Sequence, residues 1–294
     1  MSLSGFVNLN KTGDMTSSDA VVISRGVLRS TLKTKNVKVG HLGALDPLGT
    51  GVLVLTVGKA TKLFDYMLSK KKRYKAGYKF NYSSDTLDSA GKIFKTDNPV
   101  SIDREKLEKA SEKFLGKYMQ VPPAYSAKSI GGQRAYDLAR KGEDFTLNAK
   151  EVEIFSLEVG DKISEDCYEF IIECGSGTYI RSLVRDIAEE IGTIGYMTYI
   201  RRTDVGVFSL ENAVTLDIFR QDPLSCVLPI ETAFPDMEKV VLDEKQSFKF
   251  RNGTDVVFEK KDGDFLLYDY SNDLLAIASV ENNVIAPKVR LYEN

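Results

Sequence analysis

VGHLGALDPLGTGVLVL, residues 39–55, is the stretch on which the reading of this chain turns. Its second half, continued as GVLVLTVG (51–58), is an unbroken β-branched and leucine run, the pattern of a strand buried on both faces. Its first half sets Gly40, Gly43, Gly49 and Gly51 around one aspartate, Asp46, with the chain's only histidine, His41, five residues earlier. The spacing excludes two phosphate cradles. A Walker A loop needs GxxxxGK followed by Ser or Thr, but Leu48 stands where its second glycine belongs and no lysine follows. A dinucleotide fingerprint needs GxGxxG after a strand; here Gly49-x-Gly51 is followed by Val54 and precedes the strand. What remains is Asp46-Pro47. Proline fixes its own φ and holds the preceding residue extended, while glycines allow close approach or tight bends. Alone, the stretch fits either a stiffly held reactive carboxylate or an Asx-type turn that starts a strand.

Around it, GFVNLNK (5–11), RYKAGYKFNY (73–82) and CYEFIIEC (167–174) alternate as strands. Helices are predicted from the caps at Thr16 to Ser18 through Val27 or Leu28, and over 103–116, 134–142 and 178–192, the last three ending at glycines. With no regular βαβ rhythm, the expected class is α+β with a central mixed or antiparallel sheet flanked by helices. PIETAFPDM (229–237) reads as a linker. Beyond it, short strands with turn signals at Asn252-Gly253, Asp262-Gly263, Ser271-Asn272 and Asn282-Asn283 predict a small β-barrel-like module.

Composition removes several mechanism classes. One histidine and three scattered cysteines (Cys167, Cys174, Cys226) cannot build a His-rich zinc site, so no metal is expected. Reduced core thiols, no long apolar run and no signal-peptide pattern predict a cytoplasmic protein without membrane contact. The net charge of −2 argues weakly against a nucleic-acid partner, but the charge is uneven. Residues 236–294 hold 12 acidic and 8 basic side chains, a net −4, which leaves +2 for residues 1–235. Basic clusters lie at Lys70–Arg73, 134–141 and Arg201-Arg202.

Read together with GHLGALDPLGTGVLVLTVGKATK (40–62), three further segments change the balance at Asp46. The first resembles the core motif GHTGTLDPxATGVL of the TruB family of tRNA pseudouridine-55 synthases. Gly40, His41, Gly43, Leu45, Asp46, Pro47, Thr50, Gly51, Val52 and Leu53 match; Leu42, Ala44 and Gly49 depart. KKRYKAGYKF (71–80) is similar to the family's KxY strand. QVPPAYSAKSIGGQRAYDLARKG (120–142) is similar to its QxPPxYSAxK…AYxxAR insert, with Ser129 where lysine is common. CGSGTYIRSLVRDI (174–187) is close to its GTYIRxL signature, and YIRR (199–202) follows. GFVNLNKTGDMTSSD resembles the family's opening, with Thr12 for proline, and FRNG (250–253) with PKVRLY (287–292) resembles a short PUA domain.

The resemblance implies a pseudouridine-synthase fold, with a catalytic domain over 1–232, an RNA-contacting insert around 100–150, and a PUA-like module over 238–294. It implies isomerisation of a T-loop uridine in tRNA by a monomer that needs no cofactor. Asp46 is then the nucleophile, and Arg181 pairs with it and lowers its pKa. Tyr74 stacks on the flipped uracil and is a candidate for the final proton removal. Ile180 and Ile200 wall the uracil pocket, Tyr179 belongs with the substrate-binding residues, and His41 contacts RNA. Lys72 with its neighbours in Lys70–Arg73, Arg134, Arg140, Lys141 and Arg202 are the expected phosphate contacts. Two competing classes remain. One is an RNA-folding protein with little catalysis. The other is a small-glycoside hydrolase, which needs a second carboxylate, with Asp85 or Asp88 the place to look.

Overall fold

The computed structural model describes residues 3–126, 128–259 and 263–292. Met1, Ser2 and Asp262, the last in an expected turn, lie outside the described residues. A nine-stranded sheet forms the body. Its central path runs Gly5–Lys11, Thr50–Val57, Gly195–Val205, Lys72–Phe80, Cys167–Cys174, Lys150–Ser164 and Gly116–Gln120. Neighbours are antiparallel except Thr50–Val57 against Gly195–Val205, so the sheet is mixed, as the element pattern predicts.

The strand Thr50–Val57 is buried almost throughout, which its unbroken apolar run required. Lys72–Phe80 alternates: Tyr74, Ala76, Tyr78 and Phe80 face inward, while Arg73 and Lys75 are exposed. That inner face packs on the helix Ile180–Glu190 through Leu183, Val184 and Ile187. The Tyr78 hydroxyl donates to the Ile180 carbonyl (2.8 Å) and fixes the start of that helix against the sheet. The helix Ser17–Leu32 starts at a capping box, in which Thr16 accepts from Asp19 N and Asp19 reaches back to Thr16 N. It outruns its expected end: Gly26 is carried within it, and the helix stops only where Lys33 takes the left-handed conformation (φ 51).

Two expectations about the C-terminal part fail. The strands Lys239–Val241, Phe265–Tyr268, Leu274–Glu281 and Val284–Arg290 form an open four-stranded sheet in that order, and among the described residues no sheet closes into a barrel. The barrel-like PUA module is therefore corrected to an open sheet carrying a helix. Within that part, where the sequence reading named only short strands and turns, Glu244–Arg251 is a helix nucleated by a capping box between Asp243 and Gln246. Residues 229–237 are not a loose linker either. Ile230, Ala233 and Phe234 are buried in one cluster with Leu266, Tyr268 and Ile277 of the second sheet, with Leu291 just beyond it, and with Phe6, Val52 and Val54 of the first.

Candidate active site

The site is built where four segments meet at Asp46. The aspartate is the first residue of a tight turn closed by Gly49 N donating to Asp46 O (2.9 Å), with Pro47 at the position that favours its fixed φ. Gly43 (φ +91) and Gly51 (φ +98) take conformations that side chains resist. A Cβ on Gly51 would lie 2.1 Å from the Arg202 carbonyl, so this glycine lets two strands of the protein close on each other. The glycine content thus has chain packing among its causes, beyond the room for ligand expected from sequence.

Arg181, in the first turn of its helix and nearly buried, grips the carboxylate with two nitrogens: Nε lies 2.8 Å from Oδ2 and Nη2 3.0 Å from Oδ1. This is the planar two-point pairing that a guanidinium alone can make. Arg181 is itself held by the carbonyls of Thr86 and Tyr125 (both 3.1 Å) and by Asp88 (3.4 Å). The Asp46 side chain keeps 38% of its surface accessible, so the carboxylate sits at the mouth of this packing. Burial raises its pKa above the ordinary carboxylate value; Arg181 pulls it down and Asp88 adds to the rise. The expected lowering by Arg181 is present, and burial acts against it.

Asp88 is the residue the sequence located only as a place to look. It is buried, accepts from Thr86 Oγ1 (2.6 Å) and Ala90 N (3.0 Å), and faces the same guanidinium as Asp46. These bonds make it a support for Arg181. Asp85 instead accepts from Lys92 N in its own loop (2.9 Å). Lys11 was missed altogether. It is 1% exposed, and its Nζ donates to the carbonyls of Thr12 (2.7 Å), Met15 (2.7 Å) and Pro47 (3.0 Å), the last adjoining Asp46. Burial lowers its pKa to about 8.

Tyr74, Ile180, Ile200 and Leu45 are buried in one cluster, so the structure brings the expected base-facing residues together next to Asp46. Burial raises the Tyr74 pKa, with Arg202 opposing, so the phenol is protonated near neutral pH. Tyr179 precedes Ile180; its N–H donates to Gln120 Oε1 (2.8 Å) and its carbonyl accepts from Gln120 Nε2 (3.2 Å). His41 ends a short strand paired with Thr50–Val57. Burial, and then Arg202, lower its pKa, so its ring is neutral near pH 7; its Nδ1 is buried without a hydrogen-bond partner.

The expected phosphate contacts divide. Arg202 is 1% exposed and donates to the carbonyls of Val52 (2.7 Å), Gly43 (3.1 Å) and Ala44 (3.5 Å). Lys72 is buried and donates to the carbonyls of Leu68 and Lys70 (both 2.6 Å), and burial lowers its pKa to about 8. Both donate to backbone carbonyls beside the site and fasten that backbone. Arg134 and Arg140 are exposed on the insert, Arg140 against the Tyr136 ring (5.6 Å). Among the described residues no cluster of His, Cys, Asp and Glu could hold a metal, and no helix is long and apolar enough to cross a membrane.

Fold and site together define an enzyme in which a carboxylate held by arginine works beside a buried tyrosine, and comparison with known proteins gives the class. Residues 29–180 match the model of the TruB family pseudouridylate synthase N-terminal domain, and 181–234 that of the tRNA pseudouridylate synthase B C-terminal domain. The tRNA pseudouridine synthase B of Clostridium tetani is 36% identical over 94% of this chain and 92% of its own. That of Caldanaerobacter subterraneus is 35% identical over 99% and 100%. A solved Cbf5–Nop10–Gar1 complex superposes with a TM-score of 0.69 over 98% of this chain and 85% of the solved one; at 20% identity it supports the fold alone. The chain belongs to the TruB family of pseudouridylate synthases.

Proposed function

We propose that this enzyme converts a tRNA uridine to pseudouridine at position 55 of the T-loop, with Asp46 as the reacting carboxylate. The observation that carries the reading is the two-point Arg181–Asp46 pair beside a buried apolar cluster that holds Leu45, Tyr74, Ile180 and Ile200. The reaction breaks the bond from ribose C1′ to uracil N1, turns the base, and joins C1′ to C5. The C5 proton leaves and N1 gains one, so the product is an isomer. Breaking the glycosidic bond develops positive charge on the sugar. Asp46 answers it by adding to C1′, by adding to the base, or by promoting a glycal; each route uses the ionised carboxylate. Arg181 fixes its direction and favours that ionised form.

Tyr74 supplies a π-face for the unstacked uracil. With its proton in place it cannot be a standing base, so a role in removing the C5 proton requires its own proton to leave in the same step. Ile180 and Ile200 exclude water, which would otherwise capture the separated sugar. His41, Tyr179, Arg134 and Arg140 are assigned to RNA contact, catalysis to residues 1–232 and a supporting RNA contact to 238–294. Three buried, unpaired cysteines agree with a reducing compartment such as the cytoplasm, where the enzyme is assigned to act as a monomer.

Pseudouridine mapping on an unmodified tRNA transcript tests the reading. Wild-type protein is expected to modify one T-loop uridine, and Asp46→Asn to bind the transcript without modifying it. Wild-type-like turnover by Asp46→Asn, or modification elsewhere in the tRNA, refutes it.

A further inference from the structure

Asp46 must present its carboxylate from a turn, and a turn is where backbone wanders most readily. In this protein the peptide before Asp46 is held by a side chain from a distant segment. Ser17, the first residue of the helix Ser17–Leu32, is 3% exposed. Its Oγ accepts from Leu45 N (2.8 Å) and donates to Leu45 O (3.1 Å), and both contacts are buried. One hydroxyl thus satisfies both polar groups of the residue preceding Asp46. Neither group can turn to water when the loop shifts, because burial makes an unpaired N–H or C=O costly.

The clasp has a rigid base. Thr16 and Asp19 close the capping box around Ser17, so the helix start cannot fray and carry the hydroxyl away. On the far side of Asp46, Lys11 holds the Pro47 carbonyl, and Gly49 N closes the turn. Among the described residues the carboxylate itself is held by Arg181. The direction from which Asp46 reaches the sugar is therefore set by the backbone of Leu45 and Pro47. We propose that Ser17 is a positioning residue for Asp46: it clasps the Leu45 peptide so that the carboxylate meets C1′ or the base in the reactive geometry, and it supplies no atom to the reaction.

This rests on Asp46 as the reacting carboxylate, which Asp46→Asn tests separately. Ser17→Ala removes the clasp. Displacing a reacting group by about 1 Å costs on the order of 100-fold, so the expected result is a fall in kcat of about 10- to 100-fold with the KM for tRNA within about twofold. Ser17→Cys fills nearly the same volume with a weak hydrogen-bonding group and gives the same split, even where Ser17→Ala does not fold. Ser17→Thr keeps the hydroxyl and restores kcat. Ser24 is the control on the same helix: it is fully buried and its Oγ has no partner, so Ser24→Ala leaves both constants unchanged.

The proposal is overturned if Ser17→Cys keeps kcat within about twofold of wild type, if KM rises as much as kcat falls, or if Ser24→Ala reproduces the loss. A wild-type protein that forms no pseudouridine overturns the functional reading and leaves the clasp to be read from the Leu45 amide's protection against hydrogen exchange. Ser17→Cys then loses that protection, and unchanged protection refutes the clasp.

Discussion

Replacing Arg181 by lysine separates charge from geometry at the centre of this site. The guanidinium places Nε and Nη2 on the two oxygens of Asp46 at 2.8 and 3.0 Å while its remaining donors meet Thr86 O, Tyr125 O and Asp88. An ammonium carries the same charge on one shorter-reaching nitrogen and cannot span both oxygens. At least one charge-assisted bond to Asp46 is lost, worth about 1.5–3 kcal/mol, and the carboxylate gains a rotation that the pair had removed. A loss of about 2–4 kcal/mol in the transition state corresponds to roughly 30- to 1,000-fold in kcat. Affinity for tRNA should stay within about threefold, because a side chain only 8% exposed offers little to an incoming phosphate. Single-turnover release of tritium from [5-³H]uridine tRNA reads the step, since the C5 hydrogen leaves as the product forms. A companion Arg181→Gln removes the charge as well. As Arg181 pulls the Asp46 pKa down, its loss raises that pKa, and activity disappears at a higher pH as pH falls. A fall in kcat below about fivefold for Arg181→Lys, or a loss explained by weaker tRNA binding, refutes the positioning argument.

Asp88→Asn acts with the opposite electrostatic sign. Asp88 helps to raise the Asp46 pKa, so its neutralisation moves the acid limb of the rate–pH profile to lower pH, while kcat at neutral pH falls about tenfold as Arg181 loses one anchor; an acid limb moving upward contradicts this. Arg202→Met leaves the carbonyls of Val52 and Gly43 without their buried donor and should lower the free energy of unfolding by about 2–4 kcal/mol. A urea midpoint equal to that of wild type would show that the buried guanidinium stabilises nothing.

Much of the architecture was legible because burial imposes a period. The unbroken run at 51–58 and the alternation at 73–82 mark two strands of the central sheet, and capping residues mark helix starts. The same period held a signal that was passed over. Lys72 shares its face with Tyr74, Lys11 with Val7 and Leu9, and Arg202 with Ile200, so alternation alone placed these cations inward. Treating lysine and arginine as surface groups followed their usual exposure and hid three buried cations that fasten backbone to the site. The helix Glu244–Arg251 was likewise announced by Asp243-x-x-Gln246, a capping box overshadowed by the turn signals around it. Asp88 and Ser17 carry no such mark. A loop aspartate and a helix-start serine acquire their meaning only when the fold brings them to Arg181 and Leu45.

The buried cations also resolve the conflict between a net charge of −2 and an RNA substrate. Lys11, Lys72, Arg181 and Arg202 are all at most 7% exposed, and among the described residues the carboxylates of Asp46 and Asp88 beside them are paired to Arg181. The other three end on neutral carbonyls. With these cations charged, the interior behind the site therefore carries more positive than negative charge, whatever the total for the chain. Buried charges are screened by salt far less than surface ones. Their field persists where it matters, at the mouth occupied by Asp46, and it acts on two things at once. It favours the ionised carboxylate against the burial that opposes it, through Arg181 and Lys11, and it has the sign that suits an RNA substrate. The lysines are pulled down to about 8, so this field weakens above neutrality as they lose their protons. Total charge is thus a poor guide to the partner here, because the charges closest to the chemistry are buried inside the protein.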